Sequence, residues 1–575
     1  GEDPYLASKM VVPYIHGVQS NGVAACVKHY ALNNQEIWRG HINVIVDDRA
    51  LYEIYLPAFK AAVQEGQAWS IMGAYKQCCH NQYLLNDILK RDWGFDGVVV
   101  SDWGGTHNTD QAIHNGLDLE YGSWTDGMKS GVKNAYDFYH LANPYLEKIR
   151  KGEVGTKELD DKVRRVLRLI FRTTMAPSRP FGSFATEEHA LAAREIAEEG
   201  IVLLKNSTSL LPINPNKVKK LLVVGENAEH PMTIGGGSSS LKVKYEVSPL
   251  QGILARAKAA GVEVIYKEGY ASPAVAAQDV PGAVAPDKKY NLTDLRAEAV
   301  EAAKSADMVL FIGGLNKNDG QDCEGNDRKS LNLPYEQDLT IAEIAKANKN
   351  IAVVIISGNA VAMPWVNSVP SIMESWYSGT EAGNALARVL FGDVNPSGKL
   401  PFTFPEKLEH VGAHALGEHP GDSINVRYNE GIYVGYRYSD KKKLRPLFSF
   451  GHGLSYTKFE YSDATISNKE MTAEETLTVS VKVKNTGNRE GKEIVQLYIA
   501  DKKSRLERPI KELKGFDKIN LKPGEEKVVN FVIGKDALSY YDDKAGQWVA
   551  EPGDFEAIVG ASSTDLKAKL KFTLR

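Results

Sequence analysis

The sequence has few cysteines, no long apolar run and no excess of charge of one sign. Four of its 575 residues are cysteines, and their spacing fits neither a disulfide framework nor a zinc site. No run of about 18 uninterrupted apolar residues occurs, so no membrane-spanning helix is expected. The net charge of −4 argues against nucleic acid or an anionic membrane as a partner. The chain opens without a Met or a signal-peptide pattern, so its start says nothing about export.

The first part of the chain alternates short apolar runs with amphipathic helical stretches. The predicted strands are "GVAACVKHYAL", "WSIMGAY", "GVVVSDWGG" and "GLDLEYG", with helices such as "RALYEIYLPAFKAAVQEG" and "LLNDILKRDWG" between them. This pattern predicts parallel βα units over residues 1–180, with the useful side chains at the carboxyl ends of the strands. Polar or aromatic residues follow each predicted strand: Lys28 and His29, Met72 and Tyr75, Asp102 and Trp103, and Asp118 and Glu120.

The rest of the chain divides by composition and period. Apolar strands such as "KLLVVGE", "ADMVLFIGG" and "IAVVIISG" alternate with helices over residues 181–405, which predicts an open doubly wound sheet. Residues 406–455 are rich in loops. Over residues 456–575 the period changes to two, as in "ETLTVSVKVKNTG", which predicts a β-sandwich. The predicted fold is therefore a multidomain α/β protein with a C-terminal β-sandwich.

The acid after the strand "GVVV" allows two interpretations. Ser101 or Asp102 could cap a following helix, since both residue types are favoured N-caps. Alternatively, Asp102 is a carboxylate presented at a strand end for chemistry. Lys28 and His29 also allow two interpretations. Neighbouring strand residues point to opposite faces of a sheet, but at a strand end both side chains can reach one pocket.

Two other polar stretches suggest sites, but their spacing excludes the common ones. "NKNDGQDCEGNDRKSLNLP", residues 316–334, holds Asp319, Asp322, Glu324 and Asp327, without the acid spacing of an EF-hand. "TIGGGSSS", residues 233–240, lacks the ending of a phosphate-binding P-loop and is better interpreted as a flexible loop at a cleft. The motif GxSxG is absent, and neither His107 nor His114 has a recognisable metal-ligand partner.

Taken together, these stretches resemble glycoside hydrolase family 3, the β-glucosidase and β-xylosidase family. The matching segments run in the family's order along essentially the whole chain: "GEDPYL", "VKHYALNNQE", "IMGAY", "GFDGVVVSDW", "GIVLLKN", "CEGNDRKSLNLP", "GNALARVLFGDVNPSGKLPFTFP" and "FSFGHGLSYT". The resemblance implies a (β/α)8-type barrel over 1–180, represented by its C-terminal half, and an α/β sandwich over 181–405 carrying the acid/base. A loop-rich connection, 406–455, and a fibronectin type III-like domain, 456–575, follow.

The resemblance also implies roles for individual residues. Asp102 matches the family's nucleophile and Glu324 its acid/base. A retaining glycosidase needs two such carboxyl groups about 5–5.5 Å apart, one ionised and one protonated. The implied substrate-binding residues are Lys28, His29, Arg39, Met72, Tyr75, Trp103 and Ser238. No cofactor and no metal are expected.

Two departures from the family are visible. Members normally have a sizeable region before "GEDP" that supplies further sugar contacts, so about half of the barrel is expected to be lacking here. An open half-barrel would expose sheet edges. Lys76 stands where the family usually has an asparagine.

The expected function is that of a retaining, exo-acting β-glucosidase. The alternatives are a β-xylosidase or broad β-glycosidase, and a non-catalytic sugar-binding remnant. The N-acetylglucosaminidase branch is less favoured because "CEGNDR" is present. Arg427, Tyr428 and Phe450 in the loop-rich region are expected to line an aglycone site or a contact in a homodimer. The resemblance favours a periplasmic or secreted location.

Overall fold

The computed structural model describes residues 1–75, 79–122, 134–231, 233, 236–239, 241–273, 290–318 and 320–575. The chain divides into two compact units. The first comprises Gly1–Ser183, Gly412–Val434 and Tyr540–Val549, and the second comprises Phe184–Val411, Gly435–Ser539 and Ala550–Arg575. In the part of the chain that is described, no helix is long and apolar enough to cross a membrane.

The first unit is built on parallel βα units. Its main sheet has the strand order β1-β3-β4, with parallel pairing throughout; the strands are β1 (Cys26–Tyr30), β3 (Ser70–Gly73) and β4 (Val98–Val100). Leu119 forms a parallel bridge to Val100 beside β4. The α-helices of this unit are Pro4–Gln19, Asp48–Ala50, Pro57–Gln64, Thr109–His114, Asn143–Arg150 and Lys157–Arg172, with Gly412–Ala415 from the later segment. Strands β3 and β4 are buried along their length, as expected when helices cover both faces of a parallel sheet.

Two of the predicted helices differ from a regular α-helix. The stretch from Arg49 to Gln64 is divided into a π-helical turn, Leu51–Tyr55, and a helix that starts at Pro57, because proline has no N–H to continue the first helix. The second predicted helix, Tyr83–Asp92, is also of π type. A short 3₁₀ turn, Ala135–Asp137, precedes Asn143–Arg150.

Later segments of the chain add to the first unit. Strand β2 (Asn43–Ile45) pairs in parallel with β11 (Asn425–Arg427), and β18 (Tyr540–Asp542) forms a hairpin with β19 (Gln547–Val549). The N–H of Tyr541 donates to Glu53, and the Tyr541 ring stacks on Tyr52 with centroids 4.1 Å apart.

The second unit contains an open doubly wound sheet of order β5-β10-β9-β8-β6-β7. Its strands are β5 (Val202–Asn206), β6 (Lys220–Val224), β7 (Glu263–Lys267), β8 (Met308–Gly314), β9 (Ile351–Ile356) and β10 (Ser371–Glu374). Only the edge strand β5 is antiparallel among the described strands. The α-helices around it are Glu187–Gly200, Glu226–Glu229, Pro249–Ala260, Leu292–Ala303, Gln337–Ala347 and Ala382–Leu390.

This sheet is buried on both faces because successive strand residues pack into two separate cores. Leu310 and Ile312 belong to one apolar cluster, whereas Val309 and Phe311 belong to the other. Strands covered on both sides therefore appear in the sequence as continuous apolar runs. The predicted α/β sandwich is confirmed.

The second unit ends in a β-sandwich. One sheet has the order β12-β14-β17, and its strands are β12 (Phe459–Ile466), β14 (Leu477–Asn485) and β17 (Glu526–Ile533). The other sheet has the order β13-β21-β20-β15-β16. Its strands are β13 (Glu470–Met471), β15 (Gly491–Asp501), β16 (Glu512–Leu521), β20 (Gly553–Gly560) and β21 (Leu566–Leu574). Alternate residues of β14, such as Val479 and Val481, are buried in the shared core, which is why the sequence period there is two. The 3₁₀ turn Leu408–His410 and the helices Tyr436–Lys442 and Lys535–Leu538 complete the unit.

Candidate active site

Asp102 lies two residues beyond the end of β4. It is 7% exposed, and its Oδ1 accepts the N–H of Trp103 at 2.7 Å. Its Oδ2 lies 3.2 Å from Nε2 of His29. The helix Thr109–His114 is capped by Asn108, so neither Ser101 nor Asp102 serves as its cap. The carboxylate of Asp102 is therefore free of the capping role and fixed at a strand end.

The surroundings of Asp102 favour its ionised form. Burial alone would raise the pKa of this carboxyl group, but the hydrogen bonds from His29 and the Trp103 N–H, together with the charges of His29 and Arg39, lower the pKa overall. The charged form is the one that can attack an electrophilic carbon. Ser101, fully buried beside it, accepts the N–H of Tyr121 at 2.8 Å and so ties the strand end to the next segment.

Lys28 and His29 line one cavity of about 380 Å³ in the first unit. Lys28 is an exposed residue of β1, and His29 is half-buried. Glu430 lines the same cavity, and burial raises the pKa of Glu430 to about 7 although the Ala413 N–H donates to its carboxylate. From the sequence, only Arg427 and Tyr428 were predicted in this stretch; the available signal for Glu430 was an acid between Tyr428 and Tyr433.

Tyr75 and Arg39 form a second part of the candidate site. The guanidinium of Arg39 lies 4.7 Å from the centroid of the Tyr75 ring and 2.8 Å from the carboxylate of Glu36. This stacking fixes the orientation of both side chains. Lys76, the departure from the family pattern, lies outside the described residues.

Trp103 and Met72 occupy different environments. Trp103 is 46% exposed, and its ring stacks on Tyr121 with centroids 5.4 Å apart and planes 12° from parallel. An exposed aromatic pair next to Asp102 offers an apolar face for a sugar ring. Met72, by contrast, is 9% exposed and packs with Val98 and Val100, so the structure gives it a packing contact. Its contact with substrate stays a prediction.

Glu324 and Ser238 come together in the second unit. Glu324 lies in the loop after β8, and its Oε2 accepts the backbone N–H of Ser238 at 2.5 Å. The N–H of Gly236 donates to the carbonyl of Asp322 at 3.1 Å. The two polar stretches 233–240 and 316–334, which are far apart in the sequence, are therefore hydrogen-bonded to each other. Asp319 lies outside the described residues.

The loop-rich region places its three predicted aromatic and arginine residues differently. Tyr428 is buried in the first unit, where its hydroxyl donates to the Leu32 carbonyl at 3.1 Å, whereas Arg427 is exposed. Phe450 is buried in the second unit against Tyr436, with centroids 5.0 Å apart. Across the described ranges, no group of three or more His, Cys, Asp or Glu side chains is arranged to hold a metal ion.

Comparison with known proteins identifies the family. The Glycosyl hydrolase family 3 N terminal domain matches residues 1–169, and the Glycosyl hydrolase family 3 C-terminal domain matches residues 201–456. The Fibronectin type III-like domain matches residues 493–563. The chain is 54% identical to Beta-glucosidase BoGH3A of Bacteroides ovatus, in an alignment that covers 100% of this chain and 77% of that protein. The chain belongs to glycoside hydrolase family 3.

Two further relatives agree in sequence and in structure. Thermostable beta-glucosidase B of Acetivibrio thermocellus is 40% identical over 99% of this chain and 71% of its own length. The crystal structure of the GH3 beta-glucosidase of Bifidobacterium adolescentis superposes with a TM-score of 0.87 at 35% identity, covering 100% of this chain and 79% of that one. The predicted family, fold class and enzyme class of this glycoside hydrolase are confirmed. The domain limits, the residue roles, a homodimer and the cellular location stay predictions.

Proposed function

We propose that this family 3 glycoside hydrolase is a retaining, exo-acting β-glucosidase that removes terminal, non-reducing β-glucosyl residues. The observation that carries the proposal is the fixed, ionised carboxylate of Asp102 beside His29 at the end of β4. The names of the relatives, Beta-glucosidase BoGH3A and Thermostable beta-glucosidase B, support glucose as the sugar.

Asp102 acts as the nucleophile in this mechanism. Its carboxylate attacks the anomeric carbon of the glucosyl residue, the bond to the aglycone oxygen breaks, and a covalent glucosyl-enzyme forms. Each carboxylate oxygen accepts one hydrogen bond, Oδ2 from His29 and Oδ1 from the Trp103 N–H, and both bonds favour the deprotonated group. Since the transition state resembles an oxocarbenium ion, a nearby anion also stabilises its positive charge.

Glu324 acts as general acid and then as general base. It first gives its proton to the aglycone oxygen as that bond breaks, and then takes a proton from the water that hydrolyses the glucosyl-enzyme. Two displacements at one carbon restore the β configuration. The hydrogen bond from the Ser238 N–H orients the Glu324 side chain for both steps.

The remaining residues bind the sugar. Lys28 and His29 donate to sugar hydroxyl groups from the wall of the cavity. The exposed Trp103 ring, held by its stack on Tyr121, covers an apolar face of the sugar. Arg39 and Tyr75, fixed against each other, add a cation and a hydroxyl group for binding the sugar.

The test is turnover of 4-nitrophenyl β-glucoside and β-xyloside by the chain and by an Asp102→Asn variant. We expect the variant to lose at least about 10⁴-fold in kcat, the scale on which a missing nucleophile acts. Mass spectrometry after reaction with a slow 2-fluoroglucoside should find the glucosyl group on Asp102. Asp96→Asn is the matched control, because Asp96 pairs with Arg172 on the surface, away from the site, and its side chain is 53% exposed.

Each alternative predicts a different result. A β-xyloside that turns over faster than the β-glucoside would make the enzyme a β-xylosidase. Glucose binding without turnover of either substrate would support the non-catalytic remnant and contradict the proposal. A label on a residue other than Asp102 would overturn its role as nucleophile.

A further inference from the structure

Asp322 anchors the loop that carries Glu324. Its Oδ2 accepts the N–H of Gly358 at 2.6 Å and the hydroxyl of Tyr377 at 2.9 Å, and its Oδ1 accepts the side-chain amide of Asn359 at 2.7 Å. Three donors from two separate segments therefore converge on one carboxylate. Hydrogen bonds to a charged acceptor are about twice as strong as those between neutral groups.

The donors lie shortly after two strands of the buried sheet in the second unit. Gly358 and Asn359 lie two and three residues beyond the end of β9, and Tyr377 lies three residues beyond the end of β10. These strands are fully buried and neighbour each other in the sheet. Burial and the adjacent Asp322 charge raise the pKa of the Tyr377 hydroxyl, so it stays protonated and donates. The loop at Asp322 is thus attached to two segments that leave neighbouring strands of the buried sheet.

The same short segment contacts the glycine-rich stretch on its other side. The carbonyl of Asp322 accepts the N–H of Gly236, and two residues later the carboxylate of Glu324 accepts the N–H of Ser238. Asp322 and Glu324 are too close in the chain to move independently. A shift of Asp322 would therefore displace the Glu324 carboxylate from the Ser238 N–H.

We propose that Asp322 is a positioning residue for the acid/base, through the network Asp322–Gly358–Asn359–Tyr377. This inference rests on the role proposed above for Glu324. Asp322 exchanges no proton with the substrate. It holds the backbone that aims Glu324, so its loss impairs proton transfer to the aglycone without removing the carboxyl group that transfers the proton.

The test uses substrates that differ only in how much they need the acid. An aglycone that leaves as a stable anion, such as dinitrophenol, departs without protonation, whereas the glucose hydroxyl released from cellobiose must be protonated. Asp322→Asn keeps the side-chain shape but removes the charge and leaves one acceptor oxygen for the three donors, because its other terminal atom is an NH2 donor. We expect kcat/KM for cellobiose to fall about 10-fold, the effect of one lost charged hydrogen bond, with much less change for the dinitrophenyl glucoside.

The readout is the ratio of kcat/KM for the two substrates. Any loss of folded protein lowers both values equally and leaves their ratio unchanged, so a merely structural role would not move it. Tyr377→Phe, which removes one of the three donors, should move the ratio in the same direction by a smaller factor and provides a milder variant. Asp307→Asn is the control: Asp307 accepts the N–H groups of Lys219 and Lys220 at 2.8 Å each. It precedes β8, whereas the Asp322 loop follows this strand, so the substitution should leave the ratio unchanged.

The variant Glu324→Gln separates the hypothesis that Glu324 is the acid/base from the hypothesis that Asp322 positions it. It should change the ratio by about 100-fold or more, because it removes the acid itself. If Glu324→Gln leaves the ratio unchanged, the proposed function of Glu324 is wrong. If Glu324→Gln changes the ratio but Asp322→Asn and Tyr377→Phe do not, the positioning role of Asp322 is overturned while the function of Glu324 stands.

Discussion

Nε2 of His29 lies 3.2 Å from Oδ2 of Asp102, although His29 lies in β1 and Asp102 follows β4, and β3 separates these two strands. This contact joins a proposed sugar ligand to the proposed nucleophile. A donor at this position stabilises the carboxylate over the carboxylic acid. We therefore expect His29 to influence the reaction through the protonation state of Asp102 as well as through the sugar.

Replacing His29 should move the acidic limb of the pH profile. In His29→Asn, the loss of the hydrogen bond and charge raises the pKa of Asp102, so the ionised fraction falls at a higher pH than in the unchanged chain. The limb of kcat/KM, which reports the free enzyme, is expected to shift to higher pH. A weaker sugar contact lowers the height of the profile but leaves the limb in place. His114→Asn, at a half-exposed position beside Glu158, should leave it unmoved as well; a limb that stays in place in His29→Asn would contradict this coupling.

Acid should destabilise the first unit through His80. This side chain is 8% exposed, and its Nε2 accepts the N–H of His107 at 2.7 Å, which requires the neutral ring. Burial, followed by the charges of His107 and His140, lowers the pKa of His80 to about 4 from 6.5. Between these two values the unfolded chain binds one more proton than the folded chain, so stability falls as the pH falls through this window. The loss amounts to at most about 3 kcal/mol.

The contribution of His80 is measured by comparing urea unfolding at several pH values for the unchanged chain and for His80→Gln. Glutamine retains an acceptor but does not titrate, so the difference in unfolding free energy between the two should shrink or reverse as the pH falls towards 4. His16→Gln, at an exposed position of the helix Pro4–Gln19, is the control. Parallel pH curves for His80→Gln and the unchanged chain would refute the assignment.

The buried ion pair between Lys90 and Asp118 should be important for stability. The two groups are 2.7 Å apart, with side chains 10% and 0% exposed, and Asp118 also accepts the N–H of Val99. Asp118→Asn leaves the Lys90 charge buried without its counter-ion, which should cost about 3–5 kcal/mol of unfolding free energy. Asp161→Asn breaks an ion pair with Arg165 in which the Asp161 side chain is 53% exposed. The substitution should therefore lower the free energy of unfolding by less than about 1 kcal/mol. Equal shifts of the urea midpoint in both variants would show that the buried pair contributes no more to stability than the exposed pair.

The sequence predicted the position of Asp102 well but could not predict the contacts of Met72. An apolar run followed by an acid is a local pattern, and β4 ends where that pattern indicates. In a parallel sheet both faces are buried, so the sequence does not say which face a residue such as Met72 occupies. Its packing with Val98 and Val100 depends on the three-dimensional placement of neighbouring strands. Pro57 was a local signal for a break in the helix, but the helical spacing of the apolar residues on both sides of it predicted one continuous helix.

The role proposed for Asp322 could not be predicted from the sequence, for a different reason. Its three donors lie 36, 37 and 55 residues further along the chain, on loops that only the sheet order brings together. The family resemblance identified Glu324 in the same segment and assigned no role to Asp322. What identifies Asp322 is the set of hydrogen bonds it accepts, and no periodicity encodes long-range donors.

Gly237 should be intolerant of any side chain because of Glu324. Its φ is +94°, and a Cβ at this position would collide with the Cβ of Glu324. Gly237→Ala should therefore displace the Glu324 side chain from the Ser238 N–H and lower kcat/KM for cellobiose more than for a dinitrophenyl glucoside. Gly261→Ala is the matched control: Gly261 has a φ of +69° at the end of the helix Pro249–Ala260, and no atom lies within 4 Å of its added Cβ. Both variants should lose about 1 kcal/mol of stability from backbone strain, so a change in substrate ratio that appears in both would trace to strain, and a change confined to Gly237→Ala would trace to the contact with Glu324.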